Sequence, residues 1–170
     1  TTIGQNAFGY SFISAIQLPD SLTGICFSSF PDNEQGNGLV GSIQYKGKTF
    51  SDWPKPEEIK ELCRSICYDE NGLYIEGDTL LDCMKGVHEN ITIPDNITAI
   101  GDHAFSGIAV LELTLNQGVT TIGDYAFSGA EIHSLTIPEG VTSIGSHAFS
   151  WIVALDSLTL PDSLTSIADE

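Results

Sequence analysis

Basic residues are scarce in this 170-residue chain, where 6 Lys and Arg face 23 Asp and Glu for a formal charge of −17. The acid is spread along the chain, and a surface of that sign repels phosphate backbones and anionic bilayers, so nucleic acid is not an expected partner. No stretch approaches the roughly 18 uninterrupted apolar residues of a membrane span, and the N-terminus has no charged stretch leading into an apolar core. No membrane insertion is expected of this segment. Cysteine is limited to Cys26, Cys63, Cys67 and Cys83, too few for a disulfide scaffold and spaced unlike any standard zinc arrangement. They read as small buried residues; the alternatives are a metal pair at Cys63 and Cys67 joined by Cys83 and His88, or a disulfide from Cys83. Catalytic signals are missing as well: there is no Gly-x-Ser-x-Gly elbow, no His-Glu-x-x-His and no Gly-x-Gly-x-x-Gly between a strand and a helix. The chain is expected to be a binding protein rather than an enzyme, with no catalytic residue, no metal and no cofactor.

What the sequence does contain is a repeat. Ile-Gly-x-x-Ala-Phe occurs from Ile3, Ile100, Ile122 and Ile144, and a weaker copy starts at Ile25. Ile100, Ile122, Ile144 and Ile167 follow one another at steps of 22, 22 and 23 residues, the period of a solenoid. Each unit also holds an apolar–polar–apolar triplet before a corner, as in Ile91-Thr92-Ile93-Pro94, Leu113-Thr114-Leu115-Asn116, Leu135-Thr136-Ile137-Pro138 and Leu158-Thr159-Leu160-Pro161. That alternation is a strand with its aliphatics inward, and the proline bends the chain.

Stacked coils align equivalent residues about 4.8 Å apart. Phe8, Phe30, Phe105, Phe127 and Phe149 should form a buried aromatic column, each ring contributing about 1.5–3 kcal/mol. The motif glycines, Gly4, Gly101, Gly123 and Gly145, are expected at corners in the left-handed backbone region. Three further columns are left free by the motif. Thr92, Thr114, Thr136 and Thr159, with Gln17, make a hydrogen-bonding ladder suited to protein contact, although threonine is also simply good strand chemistry. His103, Tyr125 and His147, with Asn6, are either variable surface residues or a recognition stripe; the two histidines, two rungs apart, are too distant to share a metal ion. Asp20, Asp95, Glu139 and Asp162 follow the corners as turn residues, with Ca²⁺ shared between neighbours as the alternative. Asn90-Ile91-Thr92 and Asn96-Ile97-Thr98 fit the N-glycosylation pattern.

Residues 31–89 interrupt the array. After a loop to Gly41, Ser42–Phe50 reads as a hairpin with a tight Lys-Gly turn, Lys55–Cys67 as an amphipathic helix burying Ile59, Leu62, Cys63 and Ile66, and Asn71–Leu81 as a second hairpin turning at Gly77. The expected organisation is repeat coils over 1–30, a small α+β insert over 31–89 and repeat coils over 90–170. Both ends fall inside a repeat: Thr1-Thr2-Ile3-Gly4 duplicates Thr120-Thr121-Ile122-Gly123, and the chain stops just after Ile167. A piece of a longer chain is therefore expected, whose flanks would carry capping coils, a secretion signal and an anchor.

The unit, clearest from Ser134 to Phe149, resembles the BspA-like leucine-rich repeat family of bacterial and protist surface proteins, over residues 1–30 and about 90–170. The resemblance implies an α/β leucine-rich-repeat solenoid, strand-dominated and right-handed, with 22–23-residue coils. It further implies an extracellular or cell-surface module that recognises a protein, by adhesion to a host or extracellular-matrix ligand. The alternative is a structural spacer within a larger surface protein, with no ligand of its own. Open solenoid ends add the expectation of end-to-end self-association.

Overall fold

The computed structural model describes residues 2–4, 7–8, 12–25, 39–50, 62–63, 66–83 and 87–168. Asn6, Cys26, Phe30, the loop over 31–38 and the start of the expected helix over 55–61 lie outside the described residues. The chain divides into two compact units, Thr1–Gly72 and Leu73–Glu170.

In the first unit, β1 (Thr2–Ile3) pairs in parallel with β4 (Gly24–Ile25), so that Ile3 stands opposite Ile25, its equivalent in the next repeat. β2 (Phe12–Ile13) pairs with β5 (Leu39–Val40), and β3 (Ile16–Gln17) with β6 (Ile43–Tyr45), also in parallel. β6 then turns back antiparallel on β7 (Lys48–Phe50) through Lys46 and Gly47, both with positive φ. Two left-handed residues match the right-handed twist of a tight hairpin, and the Lys-Gly dipeptide supplies them. Among the described residues helix is confined to Leu62, Cys63 and Ile66, and the Cys67 amide donates to Cys63 O at 3.0 Å. Cys67 Sγ lies 3.3 Å from both Ile25 N and Ile25 O, accepting from one and donating to the other.

The second unit is a strand-dominated solenoid. It opens with the antiparallel hairpin β8 (Leu73–Glu76) and β9 (Thr79–Cys83), turned at Gly77. β9 then begins a parallel ladder through β11 (Ala99–Ile100), β13 (Thr121–Ile122), β15 (Ser143–Ile144) and β16 (Ser166–Ile167). β10 (Val87–Thr92), β12 (Ala109–Thr114) and β14 (Glu131–Thr136) form the other parallel sheet. The core between them holds the inward aliphatics of both sheets, such as Ile91, Leu113 and Leu135 from one and Ile100, Ile122 and Ile144 from the other. Cys63 and Cys83 are buried and Cys67 is half-buried.

Of the expected aromatic column, Phe105, Phe127 and Phe149 stack in the second unit, while Phe8 is half-buried in the first. Phe105 and Phe127 are fully buried, their rings stacked at 5.4 Å and 2°, and Phe127 stacks on Phe149 at 5.3 Å and 6°. Ala104 and Ala126, one residue before, are equally buried and leave the rings their space.

The motif glycines correct the expectation made for them. Gly101, Gly123 and Gly145 do not occupy the left-handed region; a β-carbon on them would instead strike the preceding coil. At Gly123 it would lie 2.7 Å from Asp102 N and 2.8 Å from Gly101 C, and at Gly145 2.6 Å from Gly123 C. These glycines permit close approach of backbones. The left-handed positions fall later in each coil, at His103, Tyr125 and His147 (φ 57°, 53° and 53°) and at Gly107, Gly129 and Trp151 (φ 67°, 67° and 58°).

Candidate functional site

Each coil runs from the Ile-Gly corner to the next strand through two successive turns. Ala104 N–H donates to Gly101 O, and Ile108 N–H donates to Phe105 O; the third residue of each turn, His103 and Gly107, has positive φ. A left-handed third residue is what a type II turn demands. Neighbouring coils then bond along the whole turn region, His103 N–H to Asp124 O at 2.8 Å, Phe105 N–H to Ala126 O at 2.7 Å and Gly107 N–H to Ser128 O at 2.9 Å.

That scaffold fixes the first candidate column. His103 stacks on Tyr125 at 5.0 Å with 2° between ring planes, and Tyr125 on His147 at 4.8 Å and 20°. Tyr125 is exposed, whereas both histidines are half-buried. His147 Nδ1 also lies 3.2 Å from Ser150 Oγ. Because the rings cover one another's faces, Tyr125 presents only its edge and hydroxyl outward. Such a column is read by hydrogen bonds to polar tips and cannot stack a ligand between its members.

The second column lies on the β10–β12–β14 sheet. Thr92, Thr114 and Thr136 pair in register and are exposed, flanked by the buried pairs Ile91 and Ile93, Leu113 and Leu115, Leu135 and Ile137. Thr159 is exposed too but belongs to no strand, since the sheet ends at β14 save for one bridge from Glu131 to Val153. The structure thus brings three of the four threonines together. The longer last step of the repeat explains the fourth: Val153 still keeps the regular period from Glu131, whereas Ser166 stands opposite Ser143 one residue late, and Ala154, with φ 65°, lies between.

Several residues on this sheet escaped the reading of the sequence. Leu111 is 53% exposed at the centre of the middle strand, beside the exposed Glu112, which is flanked in register by Asn90 and Ser134. His133 is exposed on β14. An apolar residue at an outward position was the available signal for Leu111, hidden by its place in the run Ala109-Val110-Leu111.

Polar side chains elsewhere serve the scaffold. Asp102 Oδ1 accepts from Asp124 N–H at 2.8 Å and Asp124 Oδ1 from Ser146 N–H at 2.7 Å, one coil on each time. Thr120 Oγ1 donates to Thr98 O, Thr142 Oγ1 to Thr120 O and Thr165 Oγ1 to Thr142 O. Asn116, in the place other coils give to proline, donates from Nδ2 to Pro94 O at 2.6 Å and to Ile97 O at 3.0 Å. Of the acidic turn column, Glu139 Oε2 accepts from Asp162 N–H at 3.2 Å. Among the described residues no group of three or more His, Cys, Asp or Glu is arranged to hold a metal ion, and no helix is long and apolar enough to cross a membrane.

Comparison with known proteins agrees with this architecture. No curated protein matches the sequence. The pneumococcal vaccine antigen PcpA has a solved structure similar to this chain, with a TM-score of 0.58 at 18% identity, covering 98% of this chain and 38% of that one. The chain therefore spans well under half the length of that antigen. Six copies of the repeat described as the BspA type leucine rich repeat region match residues 1–38 and 83–170. A match over most of the chain, on coils whose registers the structure displays, means that this protein belongs to the BspA-type leucine-rich repeat family.

Proposed function

We propose that this chain is a surface-exposed or secreted recognition module that adheres to a host or extracellular-matrix protein through the β10–β12–β14 face. The observation that carries the reading is the registered, outward Thr92–Thr114–Thr136 ladder with Leu111 exposed beside it, a flat face of hydrogen-bonding groups around an apolar centre. Membership of a repeat family supports a binding role over a catalytic one, because stacked coils present extended surfaces rather than enclosed clefts. The likeness to a pneumococcal antigen supports surface exposure. His103, Tyr125 and His147 would add a second, hydrogen-bonding stripe, and Thr159 would border the first. The solenoid would be right-handed and residues 31–89 an α+β insert; the family match leaves 39–82 uncovered, which supports an interruption there. End-to-end association is a further proposal, supported by the exposure of Ile167 on the last strand of its ladder.

The test is capture of the folded chain by immobilised matrix proteins and mucins, repeated with Thr114→Lys combined with Thr136→Lys. Binding lost in the double variant, with the fold intact by circular dichroism, supports the face. A wild-type chain that binds nothing on the panel fails the recognition role. The mutual covering of the His103, Tyr125 and His147 rings favours a second reading, a spacer whose columns serve only coil stacking, and unchanged cell attachment in the double variant would support it.

A further inference from the structure

The second left-handed position of each coil is glycine in two coils, Gly107 and Gly129, and tryptophan in the third, Trp151 with φ 58°. A bulky residue there is a true outlier, because its β-carbon crowds the backbone that glycine leaves free. Trp151 gains no burial in return, since its side chain is 87% exposed. An unfavourable backbone carrying an unburied indole points to a role outside the fold.

The surroundings of the ring specify what it would take. Two residues on, Val153 is 54% exposed and bridges to the exposed Glu131 on the edge of the β10–β12–β14 sheet. From Gly86 to Glu170 the chain carries eleven Asp and Glu and not one Lys or Arg. No Lys or Arg of that stretch can lie on the indole or pair with Glu131, so an ammonium or guanidinium that meets ring and carboxylate must come from outside residues 86–170. Tryptophan binds a cation on its face better than any other side chain, and arginine adds a planar fork that a carboxylate accepts. Uniform negative charge would also draw a basic partner in and repel an anionic one.

We propose that Trp151 anchors a basic protein segment on the β14 edge of this face, an arginine or lysine side chain lying over the indole with its charge met by Glu131. This rests on the recognition role proposed above and names the chemistry of its partner. A neutral glycan would account for the ring but not for the one-signed surface, and an anionic membrane is repelled by it.

Trp151→Gly makes a clean test, because it installs the residue that two sister coils already use and relieves the backbone. The variant is expected to melt at or above the wild-type temperature. Calorimetric titration with an arginine-rich peptide should show affinity at least about tenfold weaker than wild type, as for loss of a buried aromatic anchor. Trp53→Phe leaves Trp151 as the sole tryptophan, and its emission should respond saturably to the same peptide. That response should weaken as ionic strength rises from about 0.01 M to about 1 M and the screening length shrinks from about 30 Å to about 3 Å. Equal peptide affinity in wild type and Trp151→Gly overturns the proposal, as does emission that answers neutral oligosaccharides or lipid vesicles but not the peptide. If Trp151→Gly still binds a matrix protein that wild type captures, the anchor is wrong and the recognition role stands. If Trp151 takes up the peptide while the chain captures no protein, the cation site stands and the recognition role fails.

Discussion

Asp102 reaches across one coil so that its Oδ1 accepts the backbone N–H of Asp124 at 2.8 Å, in the same corner where Gly123 has no side chain to obstruct it. The carboxylate and the glycine are two halves of one contact, and Asp124 with Gly145 repeats it. Asp102→Ala should lower stability by about 1 kcal/mol in urea denaturation, as for one lost hydrogen bond. Asp102→Asn keeps the acceptor oxygen and should recover most of that loss.

Two glycines of one coil should respond to alanine for different reasons. Gly129, with φ 67° and open space around it, should cost about 1 kcal/mol in backbone strain alone. Gly123→Ala, with no positive φ to violate, should cost more, about 3 kcal/mol, because backbone atoms of the preceding coil must move. Denaturation midpoints of the two variants side by side decide this; a smaller loss at Gly123 would contradict it.

Phe127 lies between the rings of Phe105 and Phe149 and is fully buried. Phe127→Ala should cost about 3–5 kcal/mol through lost burial and the cavity left between coils. Hydrogen exchange should show amides of the coils on either side losing protection first.

Period alone made much of this legible. Equivalence at one repeat length put Phe105 under Phe127 and Thr92 beside Thr114, because parallel stacking without lateral shift turns spacing into columns. Backbone dihedrals were not legible in the same way. Glycine is needed both for positive φ and for close approach, and Gly123 could not declare which; the positive φ went instead to Tyr125, a residue type that rarely adopts it. The fate of Thr159 was written in the single longer step of the repeat, whose extra residue displaces its triplet from the sheet. Leu111 was hidden because an apolar residue between apolar neighbours does not reveal its side of the strand.

Asn116 replaces proline at its corner and ties its coil to the preceding one through two carbonyls, while its Oδ1 accepts Gly118 N–H at 2.6 Å. Asn116→Ala should cost about 1–3 kcal/mol by leaving those groups unmet. Asn116→Asp should be worse than alanine, since a carboxylate would face Pro94 O and Ile97 O; thermal melts of both variants check the order.

The registers of β10, β12 and β14 carry one more consequence, for how such a chain can change length. Deleting one full repeat, Gly101 to Ile122, would join Ile100 to Gly123 and restore every column with one rung fewer, whereas a deletion shorter by a single residue would leave a 23-residue coil like the last one, whose Ser166 still pairs with Ser143 but whose triplet at Thr159 leaves the sheet. Heredity can therefore lengthen or shorten this protein by whole coils at little risk, and the coil, rather than the residue, is the natural unit in which its reach is varied.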